Sequence, residues 1–175
     1  MPSGRTHDRI TLWSLPLIAT LTFKATADIL ITLIVSSGFL FGGFMFGPDL
    51  DIHSVQYKRW GWFRWIWIPY RGSVRHRSIL SHGPIMGTAL RVFYLSLWLG
   101  LLSLGMIEIL NSLGHTEITW GDVSASIGQA LQTYSREWIA LLVGLELGAL
   151  GHYFSDWLVS SCKRTRKSKR RRRRK

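Results

Sequence analysis

Cysteine is nearly absent. Cys162 alone excludes an internal disulfide and any zinc site built from thiolates. Charged side chains are also few, at 18% of residues against about a quarter in soluble domains. That shortage removes the usual polar coat of a soluble fold and points toward a membrane. Mean hydropathy is only +0.14, because cations gather at one end: eleven of the 22 Lys and Arg fall between residues 163 and 175. The net charge of +12 therefore belongs almost entirely to that tail, and residues 1–162 are close to neutral. A block of like charges is expected to be disordered and to bind anionic lipid headgroups or nucleic acid.

What the chain has in abundance is apolar surface, 47% of residues with 9 Trp, alongside 17 Gly. A length of 175 residues allows one domain with a real core. Four apolar runs organise residues 1–162, near 10–23, 29–47, 84–108 and 138–160. The first carries Pro16 and is closed by Lys24. With Ala25-Thr26-Ala27 it imitates a secretory signal, although Lys24 and the immediate onset of a second run argue for retention. That second run, Ile29 to Phe46, is 18 residues without a charge, the length of a transmembrane helix. Its Gly38, Gly42 and Gly43 suit close helix packing in lipid. Pro48 ends the run and places Asp49 and Asp51 just beyond it. In an extended segment residues two apart face the same way, so both carboxylates aim at one point.

From Tyr57 to Arg77 the pattern changes. Trp60, Trp62, Trp65 and Trp67 are interleaved with Lys58, Arg59, Arg64, Arg71 and Arg75, a mixture suited to a headgroup layer. Gly83-Pro84 reads as a helix start with proline in its first turn. The apolar pattern then runs to Ile107, with Arg91 early. Asn111 to Glu137 reads as a loop and a short amphipathic helix capped at Asp122 or Ser124, with His115 solvated. In the last helix His152 and Asp156 are four apart and share a face. Glu146 in the same helix is rotated away from them.

Asp49, Asp51, His53, His76 and His82 thus lie between two apolar runs, and His152 and Asp156 near the end of a third. Carboxylates and imidazoles at a membrane edge are costly unless paired, protonated or bound to a cation. Oxygen and nitrogen donors without thiolate suit Zn foremost, or Mn or Fe(II). His53 reads as outer-lying or solvent-facing.

An apolar helix ending in Pro48-Asp49-Leu50-Asp51, a His76-Arg77-x-x-x-Ser81-His82 element and a late Gly151-His152-x-x-x-Asp156 resemble the predicted metal-dependent hydrolases of bacterial inner membranes, the LexA-regulated type. The N-terminal Ser-Gly-Arg-Thr-His-Asp-Arg-Ile-Thr is similar to a branch of uncharacterised metal-binding proteins common in cyanobacteria. Ser78 and Ser81-His82-Gly83 depart from the hydrolase element, which leaves the substrate open. The resemblance implies metal ligands at His7, Asp49, Asp51, His76, His82, His152 and Asp156.

The expectation is an all-α helical membrane protein, a bundle of three to five helices with a metal site at one membrane face. Lys58, Arg59, Arg64, Arg71, Arg75 and Arg77, like the tail, belong on the cytoplasmic side by the positive-inside rule. For His7 to join the other ligands, residues 10–47 must turn back as a hairpin near Lys24 to Asp28. The activity expected of such a site is metal-assisted hydrolysis of a phosphoester or similar polar ester. Asp51 or Asp156 would serve as base, and Arg77 or Arg75 would screen anionic charge. The alternatives are a non-catalytic bundle clamped by its ion, and a tethered binder of anionic lipid or nucleic acid working through the tail.

Overall fold

The computed structural model describes residues 4–114 and 116–172, with side chains to Trp157. His115 and residues 173–175 of the tail lie outside the described residues. Among those described, the chain is all-α and contains no strand. Its helices in order are α1 (Gly4–Thr26), α2 (Ile29–Phe44), α3 (Val55–Arg59), α4 (Ile68–Ser73), α5 (Ile79–His82), α6 (Met86–Ser112), α7 (Trp120–Thr133) and α8 (Ser135–Arg172). Two 3-10 segments, Pro48–Asp51 and Gly61–Trp67, are set among the short helices.

The hairpin expected at Lys24 to Asp28 is present. Ala27 takes a left-handed φ of 50°, and the Asp28 carboxylate accepts from the amides of Leu30 and Ile31 at 2.8 and 3.2 Å. A cap of this kind contributes about 1 kcal/mol and fixes where α2 begins. α1 starts at Gly4, well before its apolar run, so the polar residues that carry His7 belong to the same helix. Among the described residues, three stretches are long and apolar enough to cross a membrane: Ile29–Asp51, Met86–Ser112 and Ser135–Trp157.

α8 lies along α2 in the most extensive helix contact of the molecule. Glycines explain the closeness. A Cβ on Gly38 or Gly42 would come within 3.0 Å of the backbone of Leu141 or Leu145, and one on Gly144 or Gly148 would collide with the carbonyl of Val35 or Phe39. Each helix thus offers two glycines four apart to the other, the spacing that lets backbones touch in the absence of side chains. Gly43 instead faces Thr11 of α1.

The chain between α2 and α6 covers one end of this three-helix core. Its own interior is Phe46, Leu50, Tyr57, Trp67 and Tyr70, packed on Leu145 of α8. The tryptophan-rich stretch therefore divides. Trp62 is 94% exposed, as a headgroup-layer residue would be, whereas Trp67 is fully buried and half-buried Trp60 donates its indole N–H to the Met45 carbonyl at 2.9 Å. Arg91, fully buried in the first turns of α6, donates to the Ser81 carbonyl and the Thr88 hydroxyl, both at 3.0 Å, and ties α6 to α5.

Three local expectations are revised. Asp49 and Asp51 sit in a 3-10 turn, not an extended segment, because Pro48 at its first position presets a helical φ. Pro84 lies between two helices instead of opening one: Gly83 before it is extended, as a residue preceding proline must be, and α6 begins at Met86. α7 is capped by Thr119 in a capping box with Asp122, which fills the third helical position and not the cap. The backbone of α8 is helical to Arg172. No glycine or proline follows Gly151, and Lys and Arg are good helix formers.

Candidate metal centre

The side chains that form the site come from four separate elements. α1 supplies His7, the Pro48–Asp51 turn supplies Asp49 and Asp51, the segment around α5 supplies His76 and His82, and α8 supplies His152 and Asp156. They gather as two triads, His7 with His152 and Asp156, and Asp49 with His76 and His82. Within each triad one donor atom per residue lies within 4.8 Å of the others. Asp49 faces both triads, with Oδ2 at 3.3 Å from His152 Nε2 and Oδ1 at 3.8 Å from His82 Nε2. The rings of His7 and His152 stack with centroids 3.9 Å apart.

Three of the four histidines have one ring nitrogen held from behind. His76 Nδ1 lies 2.9 and 3.0 Å from the two oxygens of the buried Asp51 carboxylate, which can only accept, so Nδ1 carries the proton. His7 Nδ1 meets Ser155 Oγ at 2.6 Å; that hydroxyl already donates to the His152 carbonyl at 2.8 Å, so toward His7 it accepts. His82 Nδ1 meets Ser81 Oγ at 2.8 Å, and this hydroxyl donates to the Arg75 carbonyl at 3.3 Å. The hydrogen-bond network therefore assigns the proton to Nδ1 in all three rings and leaves each Nε2 with a bare lone pair.

Those lone pairs face acceptors. His7 Nε2 is 3.4 Å from Asp156 Oδ1, and His82 Nε2 is 3.8 Å from Asp49 Oδ1. The buried atoms without a hydrogen-bond partner include His76 Nε2, His82 Nε2, both nitrogens of His152, Asp49 Oδ1 and Asp156 Oδ1. A bare imidazole nitrogen opposite a carboxylate oxygen is two acceptors in confrontation, which is unfavourable unless a cation lies between them. Two ligands bonded at about 2.0–2.1 Å to one tetrahedral ion are separated by about 3.3 Å. The observed spacings are near that value. Burial also holds the imidazoles of His7 and His82 below their usual pKa, against the opposing pull of nearby carboxylates, and so favours the neutral, ligating ring.

His53 is exposed with its ring 5.3 Å from that of Tyr57, and it belongs to neither triad. Glu146 is engaged elsewhere, accepting from the amide of Ile85 at 3.0 Å. Arg75 and Arg77 are exposed, Arg77 with a left-handed φ of 61°. Neither lines the cleft of about 200 Å³ that opens onto His7, Asp49, His152 and Asp156. The cation in that lining is Arg59, which grips Asp8 with two bonds of 2.9 and 2.6 Å and also donates to the Phe44 carbonyl at 3.0 Å.

Ser81, Ser155, Asp8 and Arg59 escaped the sequence reading as members of the site. Ser81 and Ser155 each stand beside a histidine in sequence or one helical turn from it, which is the signal that was available.

The fold and the site together define an all-α protein whose apolar helices are long enough to cross a membrane, with a His/Asp metal-ligand cluster built at the end of its helical core. The chain belongs to the family described as uncharacterized metal-binding protein (DUF2227), which it matches over residues 2–166. It is also 33% identical over 130 residues, 73% of this chain and 90% of the relative, to an uncharacterized protein of Aquifex aeolicus (strain VF5). No solved structure matches.

Proposed function

We propose that this is a membrane-embedded, metal-dependent hydrolase of a phosphoester or similar polar ester, multi-pass in the inner membrane, with its site and C-terminus on the cytoplasmic side. The observation that carries the reading is the confrontation of bare imidazole nitrogens with unpartnered carboxylate oxygens beside an open cleft. The donor set of imidazole and carboxylate fits a divalent cation, with Zn first and Mn or Fe(II) next. When bound, such a cation supplies Lewis-acid polarisation and a nucleophile at neutral pH.

The chain's own residues have separable tasks. His7, Asp49, His76, His82, His152 and Asp156 would hold the cation. Asp51, both of whose oxygens contact His76 Nδ1, orients that ring instead of ligating. Asp156, with its side chain one-quarter exposed, lines the cleft and would accept a proton there with the oxygen that the cation leaves free. Arg59, in the same lining, takes the role of screening anionic charge in preference to Arg77. The positively charged segment from Lys58 to Arg77 supports the cytoplasmic assignment.

One observation favours a second reading, an ion that serves only to clamp the fold: the donors come from four separate elements, which a shared cation would tie together. Purified protein in detergent, stripped of metal and reloaded, separates the two. The hydrolase reading expects ester turnover that returns with the cation and falls at least about a hundredfold in His82→Ala. Full metal occupancy without turnover on a broad panel of phosphomonoesters, phosphodiesters and carboxylic esters would establish the clamp.

A further inference from the structure

We propose that Asp49 is shared between two cation sites, one completed by His7, His152 and Asp156 and the other by His76 and His82. The inference deepens the metal reading above and rests on it.

Its basis is how the donors are distributed. Ligands of one ion bonded at about 2 Å cannot stand more than about 4 Å apart. Six ligating side chains exceed the four of a tetrahedral zinc, and here they sort into two triads instead of one group. Asp49 is the residue that addresses both, and it does so with different oxygens, Oδ2 toward His152 and Oδ1 toward His82. Each side also has its own rear support: Ser155 behind His7, and Asp51 and Ser81 behind His76 and His82. One side does not merely back the other. His152 is 3% exposed and neither of its ring nitrogens has a hydrogen-bond partner, while the Nε2 atoms of His76 and His82 are likewise buried and unpartnered. Unmet donors are thus present on both sides of Asp49.

The test uses full-length protein in detergent, loaded with Mn2+ alone, and reads metal per chain by elemental analysis together with the electron paramagnetic resonance spectrum. The proposal expects two equivalents and a spin-coupled spectrum in the wild type. It expects one equivalent and an isolated six-line signal in both His76→Ala/His82→Ala and His7→Ala/Asp156→Ala. Asp49→Asn, which preserves shape and keeps one strong donor atom, should lose one equivalent and the coupling while helicity by circular dichroism stays unchanged. One equivalent with an isolated six-line signal in the wild type overturns the sharing of Asp49, and metal-dependent turnover in that same sample would leave the hydrolase reading standing. No bound metal in the wild type ends both. Loss of both ions from either double variant with helicity retained overturns the sharing as well.

Discussion

The α2–α8 seam and helix α6 are drawn from the same kind of sequence and are treated oppositely by the fold. All three helices are long and apolar enough to cross a membrane, yet 39% of the apolar window is buried within the molecule for α2 and for α8, and none of it for α6. The difference lies in the glycines. Gly38, Gly42, Gly144 and Gly148 each abut opposing backbone, whereas Gly100 and Gly105 of α6 have open space where a side chain would be. Apolar length decides which solvent a helix is compatible with. The spacing of its smallest residues decides whether another helix replaces that solvent. α6 offers Phe93, Leu97, Leu101 and Met106 to its surroundings, and in a membrane those surroundings are lipid.

The contrast is broken most severely by filling the seam. Gly42→Leu drives a side chain into the backbone of Leu145, which has no rotamer to change, and should cost about 3 kcal/mol or more, read as a fall in the midpoint of thermal unfolding in detergent. A midpoint that does not move would mean the seam is looser than described. Next in size is removal of the ion. Chelation from a sample holding free metal at about a hundred times Kd should remove about 2.7 kcal/mol. Hydrogen exchange should then accelerate around His7, the Pro48–Asp51 turn, α5 and His152, with α6 beyond its first turns unaffected. Equal acceleration along α6 would erase the distinction between the two regions. The smallest effect is expected on α6 itself, where Gly100→Ala meets no neighbour and should stabilise by about 0.5–1 kcal/mol through helix propensity alone.

Much of this was legible beforehand, for identifiable reasons. Long uncharged runs and Pro48 are strong signals, so the apolar helices, the hairpin before Asp28 and the role of Gly38 and Gly42 could be read from residue order. The meeting of Asp49, His82 and His152 also followed, since polar groups at the ends of apolar helices have few places to go. What could not be read was set by contacts between distant parts of the chain. Nothing near Trp67 distinguishes it from Trp62, because the burial of one depends on Phe46 and Tyr94 arriving from elsewhere. Asp51 and Asp49 look equivalent in sequence. Their separation into a brace for His76 and a group facing two triads depends on which ring each one meets. Arg91 stood out only as a charge in an apolar helix, and its carbonyl partner on Ser81 is ten residues away in a different element.

The bond between His7 and Ser155 joins positions 148 residues apart. One half of the centre is thus divided between α1 and α8, and is complete only when both are present. During synthesis His7 waits without its partner until α8 has been delivered, so a nascent chain arrested anywhere in the loop before α8 holds neither His152 nor Asp156. Closure of this triad therefore waits on the synthesis of α8.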